Sequence, residues 1–178
     1  NSIYGLNQYL ISILMYRTHT CNELNKSNEG EEIKLSGWVH RRRDHGGLIF
    51  IDLRDGYGLT QVVFDPEHKD AYEIGDKCRS EYVLEIKGKV RKRPEGMTNN
   101  NIKTGEIEVL VTDAIILNES LTPPFEVDQD KEVSEDLRLK YRFIDLRRNR
   151  LHNNIARRHK IIKKMRDFMD KKDFIEIE

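Results

Sequence analysis

Cysteine is scarce in this chain, with two residues in 178, and each stands alone. Cys21 and Cys78 have no second ligand at zinc-type spacing, which excludes a zinc finger or ribbon and leaves two plain reduced thiols. Long apolar runs are missing as well. No stretch approaches the roughly 18 residues that a membrane span requires. The apolar piece YLISILM lacks the basic n-region and small-residue cleavage site of a signal peptide, so a cytoplasmic protein is expected. There is no excess charge of either sign: the formal net charge is zero, which excludes a uniformly basic nucleic-acid coat. Nor is there a phosphate-cradling glycine loop or a Ser/His/Asp grouping, so no catalytic constellation is expected.

What is present is segregated. Charged residues make up 35% of the chain. Arginine and lysine gather at 40–43, 87–93 and 138–172, and acids gather in EGEE (29–32) and FEVDQDKEVSED (125–136). Any functional surface is therefore local. Hydrophobic content of 37% is enough for a core, and the length fits one domain with a remainder, or two small domains.

Five strand-like segments begin at Glu32. Ile33, Leu35 and Val39 alternate through the first; Ile49, Ile51 and Leu53 through the second; Thr60, Val62 and Phe64 through the third, after the turn signal RDGYG. DPEHKDAYEIGDKCRS predicts a short helix with Pro66 near its first turn. Tyr82, Leu84, Ile86 and Val90 then mark a fourth strand, and Ile107, Val109 and Val111 a fifth. Three strands, a helix and two strands is the order of the OB-fold, a five-stranded Greek-key barrel, so a mainly β fold is expected. The loop RPEGMTNNNIKTG reads as a long exposed connection.

After Leu117 the composition changes. NESLTPPFEVDQDKEV reads as an interdomain linker, with Ser134 as the cap of a short helix running toward LRLKYRFIDLRR. Leu151, Ile155, Ile162, Met165 and Phe168 or Met169 fall on one helical stripe. DFIEIE begins a new alternation that stops in mid-strand, which suggests a truncated protein. The expected organisation is thus a leader or extension without assigned function over 1–14, an OB-fold over 15–117, a linker or hinge over 118–150, and a helix and strand opening a further domain over 151–178.

If Ile49, Val62 and Ile107 point into the barrel, pleat parity sends Phe50, Gln61 and Glu108 outward. An aromatic platform, an amide and a carboxylate are what single-stranded nucleic-acid recognition uses, by stacking and by reading base edges. Arg41, Arg42 and Arg43 alternate in direction, so at least one shares that face, with Arg41 and Arg43 the candidate contacts; Arg91, Lys92 and Arg93 repeat the arrangement. Guanidinium groups bind phosphates bidentately and stack on bases. A lone outward Phe is ordinary surface, a basic triplet is commonly a solvated edge, and His45 beside Gly46 and Gly47 reads as a turn residue. Their joint placement is what points to binding.

With these residues assembled, the chain resembles the N-terminal part of a bacterial-type aspartyl-tRNA synthetase, a class IIb aminoacyl-tRNA synthetase. YRTHTCNEL resembles that family's start, GWVHRRRDHGGLIFIDLRDGYGLTQVVFDP its anticodon-domain signature, and TGEIEVL, RLKYRFIDLRR and the helix ending DFIEIE follow in order. The resemblance implies an OB-fold that binds the tRNA anticodon, then a hinge and the opening of a class II catalytic domain. It implies that Arg43 and Phe50 are anticodon contacts, with Phe50 stacking on the central uridine. By the same resemblance Gln61 reads anticodon bases, and Arg93 and Glu108 lie near the first. His45, together with Gly96 in RPEGM, matches members that charge asparagine tRNA as well as aspartate tRNA.

The implied parent is a homodimeric ligase that attaches aspartate to tRNA(Asp), and to tRNA(Asn), using ATP and Mg²⁺. The present chain is expected to bind RNA without catalysing the reaction and without a cofactor or metal of its own. The rival reading from the residues is a sequence-neutral single-strand binder. The other is a structural domain that only supports dimerisation.

Overall fold

In the computed structural model, residues 16–127 and 131–177 are described. The expected leader over 1–14 lies outside them. The chain divides into two compact units between Thr122 and Pro123.

The first unit is built on five strands: β1 (Glu32–His45), β2 (Leu48–Arg54), β3 (Leu59–Phe64), β4 (Val83–Lys92) and β5 (Ile107–Asn118). They pair in the order β1-β2-β3-β5-β4 and β4 returns to β1, closing a barrel in which only β3 and β5 run parallel. Closure leaves no free sheet edge. The alternating apolar positions face inward: Leu35, Val39, Ile51, Leu53, Val62, Leu84, Ile86, Ile107 and Val109 have no solvent exposure. Each contributes about 1.5–3 kcal/mol relative to an exposed side chain. This is the OB-fold that the strand order predicts.

β1 serves both neighbours, pairing β4 over Glu32–Trp38 and β2 over Trp38–His45. Between Val39 and Arg41 its register against β2 slips by one residue, a bulge at His40. β1 and β2 are joined by Gly46 and Gly47 at φ +61° and +80°, left-handed backbone that a tight two-residue hairpin demands.

Helix α1 (Lys69–Lys77) packs on the barrel through Gly75, where an added Cβ would lie 2.8 Å from the ring of the buried Phe64. It begins three residues beyond Pro66, after His68, because the backbone before it makes a turn in which His68 N–H donates to Asp65 O. At the other side of the barrel, residues before β1 complete the core with Cys21 and Leu24. Asp55 ties them down, accepting from the backbone N–H of Cys21, Tyr57 and Gly58 and pairing with Arg17 at 3.3 Å.

The second unit holds α2 (Glu135–Lys140), α3 (Arg142–Asp145) and α4 (Asn149–Asp170). The segment expected to be a linker over 118–150 therefore carries the end of β5 and two short helices. Ser134 occupies the N-cap of α2, yet its side chain makes no capping hydrogen bond. The anchor of the unit is instead Asp145, 1% exposed, which faces Arg138 at 3.2 Å, Arg142 at 2.9 Å and Arg148 at 3.8 Å. α4 buries none of its residues, and the apolar stripe through Ile155, Met165 and Phe168 stays exposed. The alternation at 174–177 is not realised as a strand. A strand needs a partner for its backbone groups, and none pairs with it among the described residues.

Candidate nucleic-acid interface

Directly opposed residues on paired strands share a face. Arg43 opposes Phe50 and Arg41 opposes Asp52 across β1 and β2; Phe50 opposes Val63 and Asp52 opposes Gln61 across β2 and β3; Arg91 opposes Glu108 across β4 and β5. One outer face therefore collects the aromatic ring, the amide, the carboxylate and the basic side chains. The bulge at His40 decides which arginines take part. Unbroken alternation from the inward Val39 would send Arg41 and Arg43 inward as well. The extra residue reverses the parity, so Arg41 and Arg43 join Phe50. Arg42 turns the other way, donating to Gly75 O of α1 at 3.1 Å and pairing with Asp76 at 2.9 Å.

Phe50 is half-buried, and its register partners are Arg43 on β1 and Val63 on β3. Around it the polar groups form a continuous chain. Arg43 Nη2 donates to Asp52 Oδ1 at 2.7 Å and to Gln61 Oε1 at 3.3 Å. Gln61 Nε2 donates to Glu108 Oε2 at 2.8 Å, and Arg91 Nε donates to Glu108 Oε1 at 2.8 Å. Arg93 lies over the same strand end, its Nε donating to Ile107 O at 3.0 Å. Burial pushes the Arg93 guanidinium below its ordinary pKa, while Glu108 and Asp52 pull it up and Arg43 pushes it further down. It stays a cation.

This differs from a freely presented carboxylate. Glu108 is 2% exposed and Gln61 7%. A carboxylate so removed from water must be paired, and both Glu108 oxygens are engaged, one by an arginine and one by the amide. Glu108 is thus the anchor of the face, with Arg43 and the outer edge of Gln61 more accessible. His45 is exposed at the end of β1, beside the glycine turn, and Arg41 is exposed on the same strand. Gly96 stands in the loop after β4 at φ +79°, with nothing within 4 Å of where a Cβ would sit, so conformation rather than space favours glycine there. Neither His45 nor Gly96 joins the polar chain. Of its two ends, Asp52 was not among the candidates read from the sequence, and Arg91 entered only as part of the basic triplet Arg91, Lys92 and Arg93; strand parity around Phe50 and Glu108 was the available signal. No group of three or more His, Cys, Asp or Glu side chains among the described residues is arranged to hold a metal ion.

A model of an OB-fold nucleic acid binding domain matches residues 33–117, and a model of class II tRNA synthetases (D, K and N) matches residues 134–178. The chain is 56% identical over 163 residues to an aspartate–tRNA(Asp/Asn) ligase of Oleidesulfovibrio alaskensis, covering 91% of this chain and 27% of that protein. It is 49% identical over 163 residues to the enzyme of the same name from Rubrobacter xylanophilus, covering 92% of this chain and 27% of that protein. The chain belongs to the aspartyl-tRNA synthetase family. It spans little more than a quarter of the length of these curated synthetases. An asparaginyl-tRNA synthetase from Pyrococcus horikoshii, 22% identical, shares the fold with a TM-score of 0.74 over 90% of this chain and 36% of that one. The outer face around Phe50 lies inside the part matched by the nucleic-acid-binding model.

Proposed function

We propose that the barrel is the anticodon-binding domain of an aspartate–tRNA ligase that serves tRNA(Asp) and tRNA(Asn). The observation that carries this reading is a half-buried Phe50 ring on one face with Arg43 and the Gln61 amide. The central anticodon base stacks on Phe50, Gln61 reads its edge, and Arg41, Arg43 and Arg93 receive phosphates and flanking bases. Glu108 contributes to the reading of the first base through the groups it orients. His45, exposed at the end of β1, and Gly96, in the loop after β4, leave the first and third bases unfiltered, in keeping with relatives whose names include both tRNAs.

Aspartate activation with ATP and Mg²⁺, homodimer formation and a cytoplasmic location are assigned to the enzyme as a whole. ATP and Mg²⁺ enter the proposal with the remaining length of the relatives. No helix among the described residues is long and apolar enough to cross a membrane. A sequence-neutral single-strand binder would use the ring and the arginines equally well, but it has no use for an amide held between two partners. Family membership also favours the anticodon reading.

The test is a titration with RNA stem-loops carrying GUC, GUU and an unrelated triplet, at two salt concentrations. GUC and GUU are expected to bind alike and the unrelated triplet weakly, with Phe50→Ala costing about 1–3 kcal/mol. Equal binding of all three triplets would overturn the reading in favour of the sequence-neutral one.

A further inference from the structure

The amide of Gln61 is held at both ends by groups that cannot exchange roles. A carboxylate only accepts and a guanidinium only donates. The 2.8 Å contact to Glu108 must therefore come from Nε2, and the 3.3 Å contact from Arg43 must go to Oε1. Turning the amide by half a rotation would set oxygen against carboxylate and NH₂ against guanidinium. The two holders are themselves held from outside. Arg43 rests on Asp52 at 2.7 Å, and Glu108 receives Arg91 at 2.8 Å. Burial strengthens the arrangement, since the side chains of Asp52 and Glu108 are 15% and 2% exposed.

We propose that Asp52 and Arg91 are positioning residues for base recognition: acting through Arg43 and Glu108, they lock the Gln61 amide in a single orientation. The proposal rests on the reading of this face as an anticodon-binding surface. After the lock is made, one N–H of Nε2 and one lone pair of Oε1 remain for a base. Uracil and cytosine differ by an exchange of donor and acceptor at N3 and the neighbouring exocyclic group. A freely turning amide matches both by rotating; a locked one matches a single order and discriminates. An unlocked Gln61 would still bind, but it would cease to choose.

The experiment measures Kd of the whole chain for stem-loops carrying GUC and GCC, in the wild type and in Arg91→Gln, Asp52→Asn, Arg91→Lys and Lys89→Gln. Arg91→Gln and Asp52→Asn are each expected to lower the GUC-over-GCC preference by about tenfold, the scale of one well-oriented base contact. Arg91→Lys, which keeps the cation, restores most of it. Lys89→Gln, a charge loss at an exposed position on β4, weakens both RNAs alike. A second readout needs no RNA: the ¹⁵N order parameter of the Gln61 side-chain amide is high in the wild type and lower in Arg91→Gln and Asp52→Asn. Should Arg91→Gln fail to fold, Asp52→Asn carries the test from the other end of the chain. A preference left intact while affinity falls equally for both RNAs overturns the proposal, as does a Gln61 side-chain amide order parameter that neither substitution changes. If the wild type itself shows no preference for GUC and Phe50→Ala binds normally, the anticodon reading fails, and the positioning role fails with it even where the amide is rigid.

Discussion

At the scale of single residues, the barrel places charge where water is scarce and matches each group with a partner. Arg54 Nη2 lies 2.8 and 2.9 Å from the two oxygens of Glu81, and its Nη1 lies 3.0 Å from Nδ1 of His40 at the bulge. Glu81 is 8% exposed, so removing the guanidinium takes both of these contacts away from a buried carboxylate. Arg54→Leu is expected to destabilise the barrel by about 3 kcal/mol, read from the shift of its denaturant midpoint. The two thiols make the opposite case, neutral groups kept neutral. Burial raises the pKa of Cys21 strongly and pushes that of Cys78 up to about 12, from an ordinary 9.0. Both folded values lie above the unfolded one, so the stabilising contribution is complete below pH 9 and is lost as pH rises above it, when only the unfolded chain releases its protons. Stability is expected to fall between pH 9 and about 12 by about 1.4 kcal/mol per pH unit for each thiol. Cys21→Ser with Cys78→Ser should flatten that slope, a comparison made by urea titration across this range.

At the scale of elements, two local departures from regularity shape the molecule. The bulge in β1 aims the arginines, and Gly75 lets α1 approach Phe64. In an exposed helix a Gly→Ala change gains about 1 kcal/mol of helix propensity. Here the new methyl would lie 2.8 Å from a fully buried ring, and overpacking costs about 1–3 kcal/mol. Space outweighs propensity, so Gly75→Ala is expected to lower the melting temperature. Since α1 also receives Arg42 through Gly75 O, the substitution should loosen that contact too, visible as faster hydrogen exchange at the end of α1.

At the scale of the whole molecule, the division between Thr122 and Pro123 falls in a stretch without helix or strand, where Leu121 is 92% exposed. Limited proteolysis is expected to cut first within about residues 119–124, leaving the barrel intact as the resistant product, identified by mass. The balanced net charge conceals the basic side chains gathered on the outer face around Phe50, so, if the proposed reading holds, RNA affinity is expected to fall with salt in proportion to the few phosphates engaged.

Strand order, core parity and the position of α1 were legible in the sequence, because alternation and turn residues are local signals that each segment carries alone. So was the placement of Phe50, Gln61 and Glu108 on one face, which needs only the parity of three short strands. The reason why Arg41 and Arg43, the two named as candidates, share that face while Arg42 does not was not legible there, because the bulge at His40 exists only when β1 is paired with β2. Nor was the engagement of Glu108. Its partner Gln61 is 47 residues away in sequence and Arg91 is 17, distances that only barrel closure brings to 2.8 Å. The apolar alternation at 174–177 shows the same limit from the other side. A pattern can prescribe which face of a strand is apolar, but the strand itself forms only where a second backbone takes up its hydrogen bonds.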